Sequence, residues 1–224
     1  MLEPEECPPA PFFAMKYTHI LWDFNGTIFN DVDASRRATN ILLRRYSLPE
    51  ILSVDELRGR FGFPVRDYYA GLGFDFERHS YEDMAQDWAV LYEAECRDCE
   101  PCPGAVDNIT KLNDKGYIQA VISACEHKML QSRIAALGLD GMFENIYGTC
   151  DVNAHSKNDT ALTWRRENAG ASAIMIGDTP HDLEVARLMG ADCLLYSGGY
   201  VSRQRLAALG CPVIDMLDQI WDYL

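Results

Sequence analysis

An acidic residue stands where an apolar, β-prone run over residues 17–24 gives way to Asp23-Phe24-Asn25-Gly26-Thr27. A carboxylate at a strand end, followed by a turn that Gly26 permits, is placed to attack an electrophile directly. Further polar groups follow in chain order. Ser123 ends a second β-like run, and the backbone amides of Ala124 and Cys125 beside it could hold a phosphoryl oxygen. Lys157 precedes a helical stretch, and Gly177-Asp178-Thr179-Pro180-His181-Asp182 follows a fourth apolar run. Asp178 and Asp182, four apart, can share one face of a helix start. Mg2+ usually takes only one or two protein carboxylates and leaves places for water and phosphate, which Asp23 with Asp178 would satisfy. Taken singly, acidic residues at strand ends are also ordinary caps and turn formers. The ordered set is more specific.

The elements that must hold these groups alternate. β-like runs at 17–24, 117–123, 143–147, 173–176 and 192–196 are separated, after the first, by amphipathic stretches at 106–115, 128–137, 159–168 and 181–189. Such alternation predicts an α/β chain with a Rossmann-like, doubly wound parallel sheet, in which ligands sit at the carboxyl ends of strands. Between the first two strands the pattern is helical only, at 34–46, 55–60, 65–72 and 81–99. We therefore expect a core of residues 15–32 and 100–224, an inserted all-helical cap over 33–99, and a flexible N-terminal extension over 1–14. An insert leaving beside the active edge can act as a lid.

Bulk properties narrow the function. The 224 residues are 48% hydrophobic and 24% charged, which is the composition of an ordinary folded protein. A net charge of −14 would repel a phosphate backbone and argues against nucleic acid as a partner. No apolar run approaches the roughly 20 residues that span a bilayer. No signal-peptide pattern opens the chain, and eight cysteines without secretory context suit a reducing compartment, so a cytoplasmic protein without membrane contact is expected.

The four polar motifs, in this order and each at a strand's carboxyl end, resemble the haloacid dehalogenase (HAD) superfamily, especially its phosphoglycolate phosphatase-like branch with a helical cap. The resemblance spans residues 16 to about 200 and includes the Pro103-Gly104 entry to the helix after the cap, and Ala186, Met189 and Gly190 beyond the fourth motif. It implies an Mg2+-dependent phosphatase acting on a small phosphorylated metabolite, as a monomer or homodimer. Asp23 would become an aspartyl phosphate, and Asp23, the backbone carbonyl of Asn25 and Asp178 would hold the metal. Ser123 and Lys157 would orient the phosphoryl oxygens, with Gly26, Thr27 and Ala124 lining the phosphate site. Asp182 would position Lys157 or contribute to the metal site through a bound water.

One residue departs from that pattern. The family's phosphatases carry an aspartate two residues after the nucleophile, as acid and base, and here it is Asn25. Losing such a group costs ~100-fold to ~10,000-fold in rate. The chain could act on good leaving groups, stop as a phospho-enzyme, or bind a phosphorylated ligand without turnover. Hydrolysis of a phosphoglycolate-like monoester is the leading expectation and the slow or non-turnover module is the alternative.

Other candidates have plain readings beside functional ones. Arg58, Arg60 and Arg66, on the cap, would either pair with a substrate carboxylate or be solvated surface charge. Cys96, Cys99 and Cys102 form C-x-x-C-x-x-C without a fourth local ligand, which favours thiols at a helix end over a metal cluster. Cys125 reads as an inert thiol, His181 as a helix-start histidine facing solvent, His19 as a core histidine, and Trp22, Trp88 and Trp164 as packing residues.

Overall fold

The computed structural model describes residues 15–149 and 157–224, so the expected extension over 1–14 lies outside the described residues. β1 (His19–Trp22) is buried from its second residue onward. It lies at the centre of a parallel sheet, paired on one side with β2 (Ile118–Glu126) and on the other with β4 (Ala173–Gly177). β3 (Asn145–Thr149) lies outside β2, and β5 (Asp192–Tyr196) and β6 (Val213–Ile214) lie outside β4, giving the order β3-β2-β1-β4-β5-β6. A strand with neighbours on both sides must be apolar on both faces. Ile20 and Trp22 enter one hydrophobic cluster and Leu21 the other.

The first cluster takes Ile109 and Leu112 of α5 (Ala105–Asp114) and Leu130 and Ile134 of α6 (His127–Ala136). The second takes Ala161 and Trp164 of α7 (Asn158–Glu167) and Val185, Ala186 and Met189 of α8 (Pro180–Met189). Helices on both faces of a parallel sheet make the doubly wound fold that the alternation predicted. The chain leaves β1, forms four helices, and only then enters α5 and β2. These inserted helices are α1 (Val32–Arg45), α2 (Val54–Arg60), α3 (Val65–Gly71) and α4 (Tyr81–Glu95). α1 packs along α4, and the buried Leu42, Leu43, Leu57, Tyr69 and Met84 join the second cluster.

Several boundaries differ from the sequence reading. α4 ends at Glu95 rather than 99, because the chain turns at Cys96–Cys99, where the Cys99 amide bonds the Cys96 carbonyl at 3.0 Å. β2 runs on to Glu126, so Ser123 lies inside it, at a place where the register with β3 shifts between Ile122 and Glu126. Three short elements beyond β5 have no counterpart in the sequence reading: α9 (Arg203–Ala207), the two-residue β6 and a 3-10 helix over Leu217–Asp222. His19 is half-buried at the strand's start, edge-on to Trp164 at 5.8 Å. Trp22 and Trp164 are buried and Trp88 partly so, as packing residues should be. No helix among the described residues is long and apolar enough to cross a membrane.

Candidate active site

The sheet changes strand order at β1, where β2 and β4 flank it, and the loops beyond their carboxyl ends converge. Asp23 follows β1 directly and is 5% exposed. Asp178 follows β4, and Asp182 sits in the first turn of α8; both are completely buried. Single oxygens of these three carboxylates lie within 4.8 Å of one another.

Local sequence explains the placement. Thr179 and Asp182 form a capping box with Pro180 at the first helical turn, which fixes the start of α8 against β4. Asp182 Oδ2 accepts from the amides of Asp178 (3.1 Å) and Thr179 (2.9 Å) and from Thr179 Oγ1 (2.7 Å). Its other oxygen accepts from Lys157 Nζ at 2.8 Å, and Lys157 also donates a short bond to Asp23 Oδ1. Lys157, the residue before α7, is thereby held between two carboxylates at 4% exposure. Asp178 accepts from Thr27 Oγ1 at 3.1 Å and from the Tyr200 amide at 2.6 Å. At Gly26 the backbone has φ +78°, and a Cβ there would lie 2.6 Å from Asp178 Oδ2 and 2.7 Å from the Tyr200 ring, so both conformation and space require glycine.

Burial pushes Asp23 up to about 7 against the opposing pull of Lys157. Burial, with Asp23 and Asp182 nearby, raises Asp178 further. For Asp182 burial alone would do the same, but Lys157 and Thr179 outweigh it and hold the carboxyl below its usual range. Desolvation would lower Lys157, yet its two carboxylate partners raise it. With all of these groups ionised, three carboxylates against one ammonium leave an excess of two negative charges in a buried space. Such a space accepts a divalent cation without leaving uncompensated charge. The hard oxygen donors fit one, and among the described residues this is the only such grouping of potential metal ligands.

Ser123 is buried, and its Oγ accepts from the Cys125 amide at 3.1 Å, while the Ala124 carbonyl accepts from Thr149 Oγ1 at 3.1 Å. The guanidinium groups of the three arginines all have protein partners. Arg58 donates to the carbonyls of Gly199 (2.8 Å) and Gly198 (2.5 Å), which ties α2 to the loop after β5. Arg60 bonds the Gly71 carbonyl at 2.9 Å, and Arg66 lies 5.2 Å from the Phe76 ring centre. His181 does not face solvent as expected. It is 9% exposed because Phe63 closes over it at 5.1 Å, with Nδ1 3.3 Å from Glu184. Cys96 and Cys102 are buried, and Cys125 is pushed by burial up to about 11, as suits an unreactive thiol.

Asn25 leads to a set of residues that the sequence reading did not single out. Its Nδ2 donates to Asp31 Oδ2 at 2.9 Å and to the Tyr92 hydroxyl of α4 at 2.7 Å. Asp31, fully buried, also accepts from the Gly26 amide (2.8 Å), the Tyr200 hydroxyl (2.7 Å) and, in a short bond, the Tyr92 hydroxyl. Burial raises Asp31 and these donors oppose the rise. Arg133 of α6 lies over the rings of Phe29 and Tyr92, at 5.1 and 4.9 Å, and pairs with Glu93. Asp31 occupies the residue before α1, where a helix cap was its natural reading, yet its side chain makes no cap bond and turns back to the Asn25-Gly26 turn. A signal existed only in the pairing of Asn25 with a second polar residue six positions on.

An α/β enzyme with an acidic cluster at the strand-order switch point is the class that fold and site define. The chain belongs to the haloacid dehalogenase-like hydrolases, whose family profile matches residues 20–196. A phosphoglycolate phosphatase of Caulobacter vibrioides is 27% identical over 207 residues, covering 87% of this chain and 85% of that one. Among solved structures, a haloacid dehalogenase-like hydrolase of Streptococcus pneumoniae superposes with a TM-score of 0.78 at 21% identity, over 93% of this chain and 98% of that one. Protein Tyrosine Kinase A of Mycobacterium tuberculosis superposes with 0.76 at 16% identity, over 92% and 97%. At that identity a shared fold leaves the substrate open.

Proposed function

We propose that this hydrolase acts on a small phosphomonoester through an aspartyl phosphate on Asp23. The observation that carries the reading is the buried contact of Asp23 with Lys157 inside the carboxylate cluster. A carboxylate at the open end of a strand is a competent nucleophile, and an adjacent ammonium offsets charge on an incoming phosphoryl group. In this reading Asp23, Asp178 and the backbone carbonyl of Asn25 hold Mg2+, which would supply charge neutralisation when bound. Asp182, its oxygens committed to Lys157 and the start of α8, positions the lysine. Ser123, Gly26, Thr27 and the Ala124 amide surround the phosphoryl oxygens. Residues 33–99 serve as a cap over the core of 15–32 and 100–224, with Arg58 and Tyr92 as contacts between them. The free thiols among the described residues suit a cytoplasmic location.

Asn25 favours a second reading, a phospholigand-binding or phospho-enzyme module, since an amide cannot cycle a proton. Magnesium-dependent phosphate release from a panel of phosphometabolites, phosphoglycolate among them, separates the two readings. Release that disappears in Asp23→Asn supports turnover. Binding or a trapped phospho-enzyme without release supports the module, and release that survives in Asp23→Asn overturns both.

A further inference from the structure

The Asn25 amide has two N–H bonds to give, and both are taken, by Asp31 at 2.9 Å and Tyr92 at 2.7 Å. What it can turn toward a substrate is its carbonyl oxygen, which accepts a hydrogen bond and cannot supply a proton. Among the described residues, the groups behind it add no acid. The Tyr92 and Tyr200 hydroxyls both donate to Asp31, and Thr27 donates to Asp178. Lys157 Nζ donates to the carboxylates of Asp23 and Asp182. His181 bonds Glu184 through Nδ1 and stands outside the carboxylate cluster. With no acid supplied by the described residues, a leaving oxygen in this site departs with its electron pair and without a proton. The side facing the inserted helices is aromatic: Phe61 lies 4.8 Å from the Tyr200 ring, and Phe63 lies 5.1 Å from His181. The guanidinium groups nearby are committed to backbone carbonyls and a phenyl ring.

We propose that the preferred substrates are aryl phosphate monoesters, with the aromatic part against Phe61 and Phe63; this rests on the reading of Asp23 as nucleophile. Asp23 attacks phosphorus, the P–O(aryl) bond breaks, and its electron pair leaves on a phenolate that is protonated by water. Water then attacks phosphorus of the aspartyl phosphate, oriented by Asn25 Oδ1; the P–O(Asp23) bond breaks with its electron pair returning to the Asp23 carboxylate, phosphate leaves, and the proton shed by the water neutralises the hydroxide formed when the phenolate was protonated. The net reaction consumes one water and gives a phenol and inorganic phosphate. Asp31 is the positioning residue that keeps the Asn25 carbonyl turned inward.

The balance of effects is set by leaving-group acidity. A phenol resembles a tyrosine side chain, with a pKa near ~10, whereas an aliphatic hydroxyl lies nearer to water at ~16. Without an acid, that gap is felt in full by the rate. The test measures kcat/KM on aryl phosphates of graded phenol pKa and on phosphoglycolate, for the natural chain and for Asn25→Asp, with Asp23→Asn as the blank. The expected result is a steep fall in log(kcat/KM) with leaving-group pKa, phosphoglycolate ~100-fold or more below phenyl phosphate, and a flatter line in Asn25→Asp. Should that variant fold poorly, Asn25→Asp/Asp31→Asn, which keeps one carboxylate in the pair, replaces it. A flat line in the natural chain, or phosphoglycolate cleaved as fast as phenyl phosphate, overturns the proposal while leaving the Asp23 reading intact. Activity that survives in Asp23→Asn, or no Asp23-dependent cleavage or phospho-enzyme from any aryl phosphate, removes both.

Discussion

Restoring an aspartate at position 25 should destabilise this protein, and do so in proportion to pH. Asn25 is half-buried, and its Nδ2 lies 2.9 Å from Oδ2 of the fully buried Asp31. Asn25→Asp would put a second carboxylate oxygen at that distance. Two unit charges so placed repel by about 6 kcal/mol at an effective dielectric of about 20. Binding one shared proton is cheaper: with a free pKa near ~4, protonation at pH 7 costs about 4 kcal/mol. The folded-state pKa of the pair is thus raised. Its stabilising contribution is complete below ~4 and is lost as pH rises, at about 1.4 kcal/mol per pH unit. Urea unfolding of natural and variant chains, both without divalent metal, should show a difference of about 1 kcal/mol at pH 5 and about 5 kcal/mol at pH 8. The exchanged pair Asn25→Asp/Asp31→Asn should recover most of the loss at pH 8. An equal cost at both pH values, or no recovery in the double variant, would refute the contact between these two side chains.

The other predictions concern the carboxylate cluster. Asp178→Asn should weaken Mg2+ binding by calorimetry while leaving the circular dichroism spectrum in place; unchanged affinity would remove Asp178 from the metal set. Because burial raises Asp23 to about 7 and raises Asp178 as well, their contribution to stability is complete below the ordinary carboxylate pKa and lost as pH climbs through the folded values. Added Mg2+ should therefore raise Tm more at pH 8 than at pH 5, and an equal shift would contradict the assignment. Gly26→Ala meets a positive φ worth about 1–2 kcal/mol and a contact with Asp178, so urea unfolding should show at least that loss together with weaker Mg2+ binding.

Much of this fold was legible because its strands are local. Each central strand is one apolar run, and each of the residues Asp23, Lys157 and Asp178 lies next to a strand or helix end. β6 is two residues long and α9 five, too short to carry a period. Ser123 was placed at a strand end, but the β2 pairing resumes beyond a shift in register, which depends on β3 rather than on its own sequence. Asp31, Tyr92 and Tyr200 were missed for a related reason. They come from the residue before α1, the last turn of α4 and the loop after β5, and only packing of the inserted helices on the core brings Asp31 and Tyr92 to the Asn25 amide and Tyr200 to Asp31. The arginines show the converse: their charge was visible, but their backbone partners were not.

Both the phosphatase chemistry and the aryl phosphate preference require that Asp23 become phosphorylated. An acid quench of the chain with Mg2+ and phenyl phosphate, followed by mass spectrometry of its peptides, reads this directly. One phosphoryl group is expected on the peptide containing Asp23 and none in Asp23→Asn; a phosphoryl group found elsewhere, or turnover with no phosphorylated peptide under any quench time, would exclude Asp23 as the nucleophile.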